Sequence, residues 1–417
     1  MLTAAAAATT RPVFGQAAQR KLKLGLIGCG WYGMVDLEAA YKAGNVECVA
    51  VCDVDSAHLA ESEAQVEKAQ GSKPKTFKDY RELIAMPGLD AVIIATPPHW
   101  HALPFLAACA KGLDVYQEKP LAYDIREGRA MVDAWKKTGN IVQVGFQRRQ
   151  PNGFAAARDF VRSGQAGRIV QIDAQIDYNA SPSPYQPQDP PPSLDWDLWC
   201  GPAPKLAYSP NIAHKAWRLE KEYGNGHLVD WGIHLIDAIR VMMGFSTPQS
   251  VVSVGGLYEY KGRITTPDTL TTSFAFENCP VVWRHKIWGA ADYDDEIGNG
   301  ILLYGEKATV FAADDRWAVI PRGGKPEDRK VMRVSEANEA QSRHVANFLE
   351  GVRTRKQPVC TPDDAYQSTT TVQLGMLAYY SGAKLSWDAP AEKIEGNAAA
   401  AAMIKREYRA PYKHPYA

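Results

Sequence analysis

Residues 21–33 read Lys-Leu-Lys-Leu-Gly-Leu-Ile-Gly-Cys-Gly-Trp-Tyr-Gly, an apolar stretch that ends in three closely spaced glycines. It predicts a buried strand from Lys21 to Ile27, and the residues after it predict a helix from Tyr32 to Ala43. A strand, a G-x-G-x-x-G turn and a helix, in this order, form the phosphate-binding unit of dinucleotide-binding folds. This unit therefore indicates the fold of the first part of the chain.

Each glycine of the turn has its own predicted task. Gly28 allows the tight turn, Gly30 lets the backbone approach a pyrophosphate, and Gly33 lets the helix pack closely on the strand. The free N–H groups and the positive dipole end of the helix favour an anion at the same place. The predicted cofactor contacts in this turn are Gly28, Gly30, Trp31, Tyr32 and Gly33.

An acidic residue at the end of the second predicted strand indicates which dinucleotide binds. Asp53 follows the strand Val46 to Cys52 and lies 20 residues beyond Gly33. Its carboxylate is placed to accept hydrogen bonds from a ribose 2′-hydroxyl, and it would repel a 2′-phosphate. Since Val54 and Asp55 follow, rather than a basic residue, the sequence favours NAD over NADP as the cofactor.

Strands and helices alternate through residues 21–145. After the first unit, the predicted strands are Val46 to Cys52, Ala91 to Ala95, Leu113 to Gln117 and Ile141 to Gly145, and the predicted helices are Ser56 to Ala69, Lys78 to Met86, Trp100 to Lys111 and Ile125 to Lys137. Such alternation is typical of a parallel, doubly wound sheet. The sequence therefore predicts the α/β class, with an N-terminal Rossmann domain at 21–145.

The pattern changes after residue 145. Alternating strands cluster at 169–178, 250–258, 270–276, 281–288, 300–304 and 308–312, and helices are predicted at 154–162, 226–243, 336–350 and 362–381. Clustered strands with few helices between them predict an α+β domain with an open, mostly antiparallel or mixed sheet at 146–390. The stretch 391–417 is expected to be an irregular tail packed on the domains.

The first 20 residues are predicted to lie outside the fold. The alanine run at 4–8 and the residues after it resemble the end of an export signal, although a charged start and a full apolar core are missing. The alternative is a disordered tail on a cytoplasmic protein.

Composition argues against several kinds of partner. The 47 Lys and Arg residues balance the 47 Asp and Glu residues, so nothing favours nucleic acid or an anionic membrane. No stretch approaches the length needed to cross a bilayer. The seven cysteines contain no C-x-x-C pair, so neither a disulfide framework nor a zinc site is expected.

The loop after the strand Ala91 to Ala95 is expected to face the cofactor, because ligands of open α/β sheets bind beyond the carboxyl ends of the strands. Its predicted cofactor contacts are Thr96, Pro97 and His101. A rigid turn with a histidine cap is a fair competing explanation for His99.

The tripeptide Glu118-Lys119-Pro120 also follows a strand, and its proline fixes the backbone around the lysine. A lysine beside a nicotinamide can hydrogen-bond a substrate hydroxyl and stabilise the charge that develops on its oxygen. The competing explanation is a surface lysine in a turn. The position at the end of a strand favours the functional interpretation.

A third group lies on the predicted helix 226–243. Asp230 and His234 are four residues apart and Asp237 follows three later, so a helix places them on one face, with His227 close to it. A histidine beside a carboxylate is a suitable general base for an alcohol proton. The alternatives are a buried structural histidine and a metal site made of His227, Asp230 and His234. No further His, Cys or Glu cluster completes such a site, so no metal is expected.

Taken together, these motifs resemble the Gfo/Idh/MocA family over residues 23–387. The resemblance implies a Rossmann domain, then an α/β domain whose open sheet forms the interface of a homodimer or homotetramer. It also implies NAD(P)-dependent oxidation or reduction of sugars, polyols or related compounds. Lys119 matches the family's E-K-P lysine, and Asp230 and His234 match its D-x-x-x-H pair. The stretches 194–202 and 216–218 are similar to those of bacterial members with export signals, which favours the periplasm.

The expected mechanism assigns a role to each candidate. His234, oriented by Asp230, takes a hydroxyl proton, while Lys119 orients the same oxygen and hydride passes to the nicotinamide. Glu118, Lys119 and Gln147 are expected to contact the cofactor. The substrate candidates are Arg148, Trp217, Arg218 and His227, for which packing or pairing at the domain interface is the alternative.

Two other functions remain open. One is a hydrolase or lyase that keeps NAD bound and oxidises a sugar transiently; the other is a sensor without catalysis. The joint presence of Lys119, Asp230 and His234 argues against the sensor.

Overall fold

The computed structural model describes residues 20–290, 294 and 296–416. The tail or export-signal remnant predicted at 1–20 therefore lies outside the described residues, apart from Arg20, which pairs with Asp90 at 2.7 Å. Within the described ranges, every helix is too short or too polar to span a membrane.

The first sheet has six parallel strands in the order β3-β2-β1-β4-β5-β6. Their bounds are Leu22–Ile27 (β1), Val46–Cys52 (β2), Lys75–Phe77 (β3), Ala91–Ile94 (β4), Asp114–Gln117 (β5) and Val142–Val144 (β6). This is the order of a doubly wound dinucleotide-binding sheet, so the predicted Rossmann fold is confirmed. Only the short strand β3 was not predicted.

Five helices connect these strands: Trp31–Ala43 (α1), Ser56–Gln70 (α2), Tyr80–Ala85 (α3), Ala102–Lys111 (α4) and Ile125–Thr138 (α5). Aspartates cap three of them, because the side chains of Asp55, Asp79 and Asp124 accept hydrogen bonds from the first-turn N–H groups of α2, α3 and α5. Helix α1 begins at the glycine turn and has no side-chain cap. Its first N–H groups are therefore free of a side-chain acceptor.

The second sheet has ten strands, in the order β14-β13-β12-β11-β7-β10-β9-β8-β15-β16. The bounds are Ile169–Asp177 (β7), Ser250–Gly256 (β8), Thr269–Ala275 (β9), Pro280–Lys286 (β10), Gly300–Gly305 (β11), Ala308–Ala312 (β12), Arg316–Pro321 (β13), Lys330–Arg333 (β14), Leu385–Asp388 (β15) and Lys393–Glu395 (β16). Strands β7 and β10 are parallel and the other neighbours antiparallel. The predicted mixed, mostly antiparallel sheet is confirmed, and its four outermost strands are additional to the prediction.

The remaining helices are Gly153–Arg162 (α6), Trp196–Cys200 (α7), Ile233–Met243 (α8), Ala340–Thr354 (α9), Pro362–Ser381 (α10) and Ala398–Ala402 (α11). A π-helical turn, Leu228–Gly232, leads into α8, where the sequence predicted one continuous helix. One face of the second sheet packs on α10. At this contact the Ser253 hydroxyl of β8 donates a hydrogen bond to the Gly375 carbonyl of α10.

Helix α9 crosses back onto the first sheet. Its side chains Val345, Phe348 and Leu349 join one apolar cluster with Leu24 and Leu37 of the Rossmann domain. A parallel sheet must be covered on both faces, and α9 supplies part of that cover. The domain boundaries predicted at 146 and 391 remain predictions, but residues after 146 complete the first core.

A second crossing segment, here called the strap, comprises residues 186–219. Its Leu194 forms an antiparallel β-bridge with Asp55 through the two backbones. The indole N–H of Trp100 donates to the Trp199 carbonyl at 3.0 Å. Aromatic side chains fill the space beneath it, with Trp196 and Trp199 stacked at 4.7 Å between ring centroids. The strap thereby lies along the loops that follow β2 and β4.

A buried ion network joins the segment after β6 to α8 and α10. Arg149 makes two hydrogen bonds to Asp237, at 2.5 and 2.8 Å, and also binds Asp364. The side chains of Arg149 and Asp237 are only 5% and 2% exposed. Arg240 binds the same Asp364, so the four charges compensate one another.

We expect Arg149→Met to lower the free energy of unfolding by about 3–5 kcal/mol, because it leaves the buried Asp237 without its cation. Urea unfolding measures the loss. Arg158→Met is the control, because its partner Asp159 is 69% exposed and the pair should contribute under about 1 kcal/mol. Equal losses in the two variants would contradict a stabilising role for the network.

Candidate functional site

The glycine turn has the close contacts that the motif requires. Gly28 has a φ of +91°, and a Cβ there would lie 2.8 Å from the backbone of Ala95. A Cβ on Gly33 would lie 2.0 Å from the Gly28 carbonyl oxygen. At Gly30 a Cβ would meet nothing within 4 Å, so this side of the turn is open. The uncapped N-terminus of α1 therefore faces a space where an anion can approach.

Asp53 braces the same turn. Its Oδ2 accepts a hydrogen bond from the Cys29 N–H at 2.7 Å, and its Oδ1 accepts one from the Asp55 N–H at 2.9 Å. Burial raises the pKa of Asp53 against the opposing effect of these N–H groups. The carboxylate thus has a structural task besides the predicted contact with a ribose.

A cleft of about 710 Å³ runs along the carboxyl edge of the first sheet. Its walls are the glycine turn, Asp53, the Thr96-Pro97 loop and strap residues that include Trp199, His214, Trp217 and Arg218. Its volume lies within the range of small-molecule and cofactor sites. The free helix N-terminus, the acidic residue and the cleft together fit a dinucleotide.

Lys119 and Asp230 meet at the junction of the two domains. The Lys119 ammonium donates to the Asp230 carboxylate at 2.9 Å and to the Asp230 carbonyl at 2.8 Å. Arg218 lies 3.3 Å from the other carboxylate oxygen, and it also lines the cleft. Burial opposes ionisation of Asp230, but the two cations outweigh it and hold the pKa of that carboxyl below its ordinary value.

His234 is buried beside this pair. Burial, with smaller effects from Arg148 and Lys119, holds the pKa of His234 well below its usual range. Its Nδ1 has no hydrogen-bond partner among the described residues. The expectation that Asp230 orients His234 is therefore wrong, because the Asp230 oxygens are engaged by Lys119 and Arg218. Asp237 also lies elsewhere, in the Arg149 network.

Glu118 points into the Rossmann core behind Lys119. Its Oε2 accepts a hydrogen bond from the Lys119 N–H at 3.1 Å, while Oε1 is buried without a partner among the described residues. Gly145 makes room for it, because a Cβ there would lie 2.3 Å from Oε1. Burial raises the pKa of Glu118 to about 7, against the lowering effect of Lys119.

His101 does not face the cleft, contrary to the prediction. It is completely buried, and its two ring nitrogens lie 2.7 Å from the Pro120 carbonyl and 2.8 Å from the Thr96 carbonyl. The ring therefore ties together the two loops that follow β4 and β5. His99 is likewise structural, with its Nε2 at 2.9 Å from the Trp199 carbonyl.

The other predicted cofactor contacts surround the turn. The Gln147 amide donates to the Tyr32 hydroxyl at 2.9 Å. Trp31 is 60% exposed, and the Lys215 ammonium of the strap lies 5.0 Å from its ring centroid. Thr96 and Pro97 line the cleft. These residues therefore stay candidates for cofactor contacts.

The substrate candidates occupy different positions. Arg148 forms a two-point ion pair with Asp314, at 2.6 and 2.7 Å, which supports the alternative of structural pairing. Trp217 and Arg218 line the cleft, with the guanidinium stacked on the indole ring. His227 is buried against Tyr178, at 5.0 Å between ring centroids. The sequence interpretation missed Tyr178, because it directly follows strand β7 and belongs to no motif.

Several predicted site residues share an unusual property. Each has a buried polar atom without a hydrogen-bond partner among the described residues: Thr96 Oγ1, Glu118 Oε1, Gln147 Oε1, Arg148 Nη1, His227 Nε2 and His234 Nδ1. Buried polar atoms are normally paired, so a bound ligand or a water molecule can supply the partner that these atoms lack.

Replacing Glu118 tests whether burial raises the pKa of its carboxyl group. The folded protein holds a proton on Glu118 up to about pH 7, whereas the unfolded chain releases it near the ordinary value of 4.5. Stability therefore falls as pH rises from 4.5 to 7. We therefore compare the free energy of unfolding of Glu118→Gln with that of the unsubstituted protein. On going from pH 5 to pH 8, this difference should shift by roughly 1–3 kcal/mol in favour of the variant.

Urea unfolding at the two pH values measures this gain. Glu277→Gln, at an exposed position, is the control and should show no such change. A gain that is the same at pH 5 and pH 8 would contradict the raised pKa.

Comparison with known proteins identifies the family. Residues 22–146 match the profile of an oxidoreductase family with an NAD-binding Rossmann fold. Residues 154–311 match the GFO/IDH/MocA C-terminal domain, and residues 284–414 match the oxidoreductase family C-terminal alpha/beta domain.

Individual relatives agree with these matches. Inositol 2-dehydrogenase of Salmonella typhimurium is 32% identical over 165 residues, which cover 39% of this chain and 48% of that protein. Myo-inositol 2-dehydrogenase of Thermotoga maritima is 24% identical over 336 residues, 80% of this chain and 84% of its own length. A solved levoglucosan dehydrogenase, in complex with NADH and levoglucosan, has the same fold, with a TM-score of 0.69, 19% identity, and coverage of 88% of this chain and 99% of that one. The chain belongs to the Gfo/Idh/MocA family of oxidoreductases, with an NAD-binding Rossmann domain.

Proposed function

We propose that this protein is an NAD-dependent oxidoreductase that interconverts a hydroxyl and a carbonyl group of a sugar or polyol. The observation that carries the proposal is the position of Lys119, which Asp230 holds at the domain junction. His234 lies beside it, and its Nδ1 has no hydrogen-bond partner among the described residues. The relatives are named as dehydrogenases of inositol and of levoglucosan, and these names support a carbohydrate substrate.

Lys119 is the residue that contacts the reacting oxygen. Its ammonium has three protons, and two of its acceptors belong to Asp230, so one N–H is left for a substrate oxygen. This contact stabilises negative charge on the oxygen while the hydroxyl loses its proton. NAD, when bound, accepts the hydride.

His234 is the proton acceptor. Its lowered pKa keeps the ring neutral at neutral pH, so one ring nitrogen has a free lone pair. Asp230 acts on Lys119 rather than on His234, because it compensates the ammonium and fixes its direction. Asp230 is therefore a positioning residue.

Release of NADH tests this function. The purified protein is mixed with NAD and a panel of polyols and sugars that includes myo-inositol and levoglucosan, and NADH is counted against oxidised product. We expect one NADH for each product. Absence of any redox change with the whole panel would contradict the proposal.

Lys119→Met should leave NAD binding intact and lower kcat by at least about 100-fold, because one hydrogen-bond donor to the developing oxyanion is lost. Lys111→Met, at an exposed helix end, is the control and should keep full activity. Turnover at the normal rate by Lys119→Met would remove the lysine from the mechanism.

A second candidate is a redox-neutral hydrolase or lyase that retains NAD. The strap favours it, because strap residues form one wall of the cleft and would hinder release of a dinucleotide. An exported protein, as the alanine-rich start of the sequence suggests, would need such retention where free NAD is scarce. Product formation without net NADH, by protein that keeps NAD through purification, would favour this function over the first.

We also propose a homodimer or homotetramer formed through the outer face of the second sheet. Strand β8 alternates, so that Val251 is buried while Val252 and Val254 are 40% and 72% exposed. Tyr258, just beyond the strand, is 57% exposed. Exposed apolar side chains on one face are typical of interaction sites.

Val254→Lys should shift the mass measured by light scattering towards the 45.9 kDa of one chain, because it places a charge in the interface. Val359→Lys, at an exposed valine on another part of the surface, should leave the mass unchanged. A single-chain mass for the unsubstituted protein would contradict the proposed assembly.

A further inference from the structure

Three side chains converge where the strap meets the end of β2. Asp55 and His58 belong to the Rossmann domain, and His214 belongs to the strap. The Asp55 Oδ2 lies 3.0 Å from the His214 Nε2, and the two imidazole rings are 4.2 Å apart between centroids. One oxygen or nitrogen from each residue lies within 4.8 Å of the others.

This spacing suits a coordinated cation. Zinc bonds of about 2.0–2.1 Å to nitrogen and oxygen place tetrahedral ligands about 3.3 Å apart, close to the observed separation of Asp55 and His214. The Asp55 Oδ1 is already used by the Ala57 N–H at the start of α2, which leaves Oδ2 as a single ligand atom. His58 has no hydrogen bond to any described residue, so its ring is available.

The charges at this place also suit a cation. A histidine ring nitrogen without a proton has a lone pair that can bind a metal ion. The carboxylates of Asp53 and Asp55 both lie at this place, joined by the hydrogen bond from the Asp55 N–H to Asp53 Oδ1. A divalent ion would compensate their negative charge.

A second group of similar composition provides a contrast. Asp124, Glu127 and His414 are also close together, but Arg406 donates to Glu127 at 2.8 Å and the Asp124 oxygens accept bonds from backbone N–H groups and His414. The Arg406 guanidinium therefore already supplies the positive charge that this acidic group needs. No such arginine or lysine is bonded to Asp55, His58 or His214 within the described ranges.

We propose that Asp55, His58 and His214 bind a divalent transition-metal ion such as Zn²⁺, with a fourth position left for water or a ligand in the adjoining cleft. Two nitrogens and one carboxylate oxygen are a donor set that such ions prefer. The sequence predicted no metal, because His214 is far from the other two ligands along the chain.

The site has a mechanical consequence. Its ligands come from both sides of the cleft, since His58 and His214 each line it. A bound ion would fasten the strap to the Rossmann domain. The ion is a structural clamp, and its binding does not depend on whether the protein is a dehydrogenase.

Metal titration of the full chain tests the proposal. After chelator treatment, the protein is dialysed against buffered Zn²⁺, and bound zinc is counted by elemental analysis. Co²⁺ is used in parallel as a spectroscopic probe. We expect one ion for each chain, and affinity at least about tenfold weaker in His58→Gln, His214→Gln and Asp55→Asn. Asparagine still caps α2, so the last variant tests the ligand without removing the cap.

His414→Gln is the matched control and should bind zinc like the unsubstituted protein. A second measurement uses thermal unfolding, where Zn²⁺ should raise the Tm of the unsubstituted protein but not of His58→Gln. Retention of no zinc, or equal retention by the double variant His58→Gln/His214→Gln, would overturn the proposal and leave a hydrogen-bonded latch between strap and domain.

Discussion

The site depends on one contact, the ion pair between Lys119 and Asp230. The two residues are 111 positions apart in the sequence, and their side chains are only 14% and 10% exposed. Either charge alone would be costly at this depth, so contact between the domains compensates both charges. Arg218 adds a second cation from the strap, which makes Asp230 the point where three separate segments meet. The direction of the Lys119 side chain is thus set by an interdomain contact.

Much of the first domain could be predicted because its signals are local. The strand, the glycine turn and the start of α1 are contiguous, and the buried run of β4 needs no long-range partner to be recognised. Strands β13, β14 and β16 were missed because each has at most one buried residue, so their sequences show no clear alternation of apolar and polar residues. Strand β15 was missed because it has only four residues. Helix α9 was found with shifted bounds, but its place on the first sheet could not be inferred from an amphipathic pattern that fits either domain.

The sequence predicted which residues lie at the candidate site, but it predicted less well which of them bind to one another. Lys119 and Asp230 do lie together, with His234 beside them, because folding brings the loop after β5 against the segment that leads into α8. Their pairing differs from the prediction, since Lys119 and Arg218 compete successfully for Asp230 and a π-helical turn interrupts the expected helix. His101 shows the opposite error. The sequence predicts a ligand contact for this histidine, but its two ring nitrogens lie against two backbone carbonyls inside the protein.

The crossing of α9 has a consequence for how the protein is made. Leu24 and Leu37 are synthesised about 300 residues before Val345, Phe348 and Leu349, which cover them. The newly made Rossmann domain therefore has an uncovered apolar face until α9 has been synthesised. Such an exposed face is prone to aggregation. Completion of the first core must therefore wait until α9 has been synthesised, so the two domains reach their native packing together.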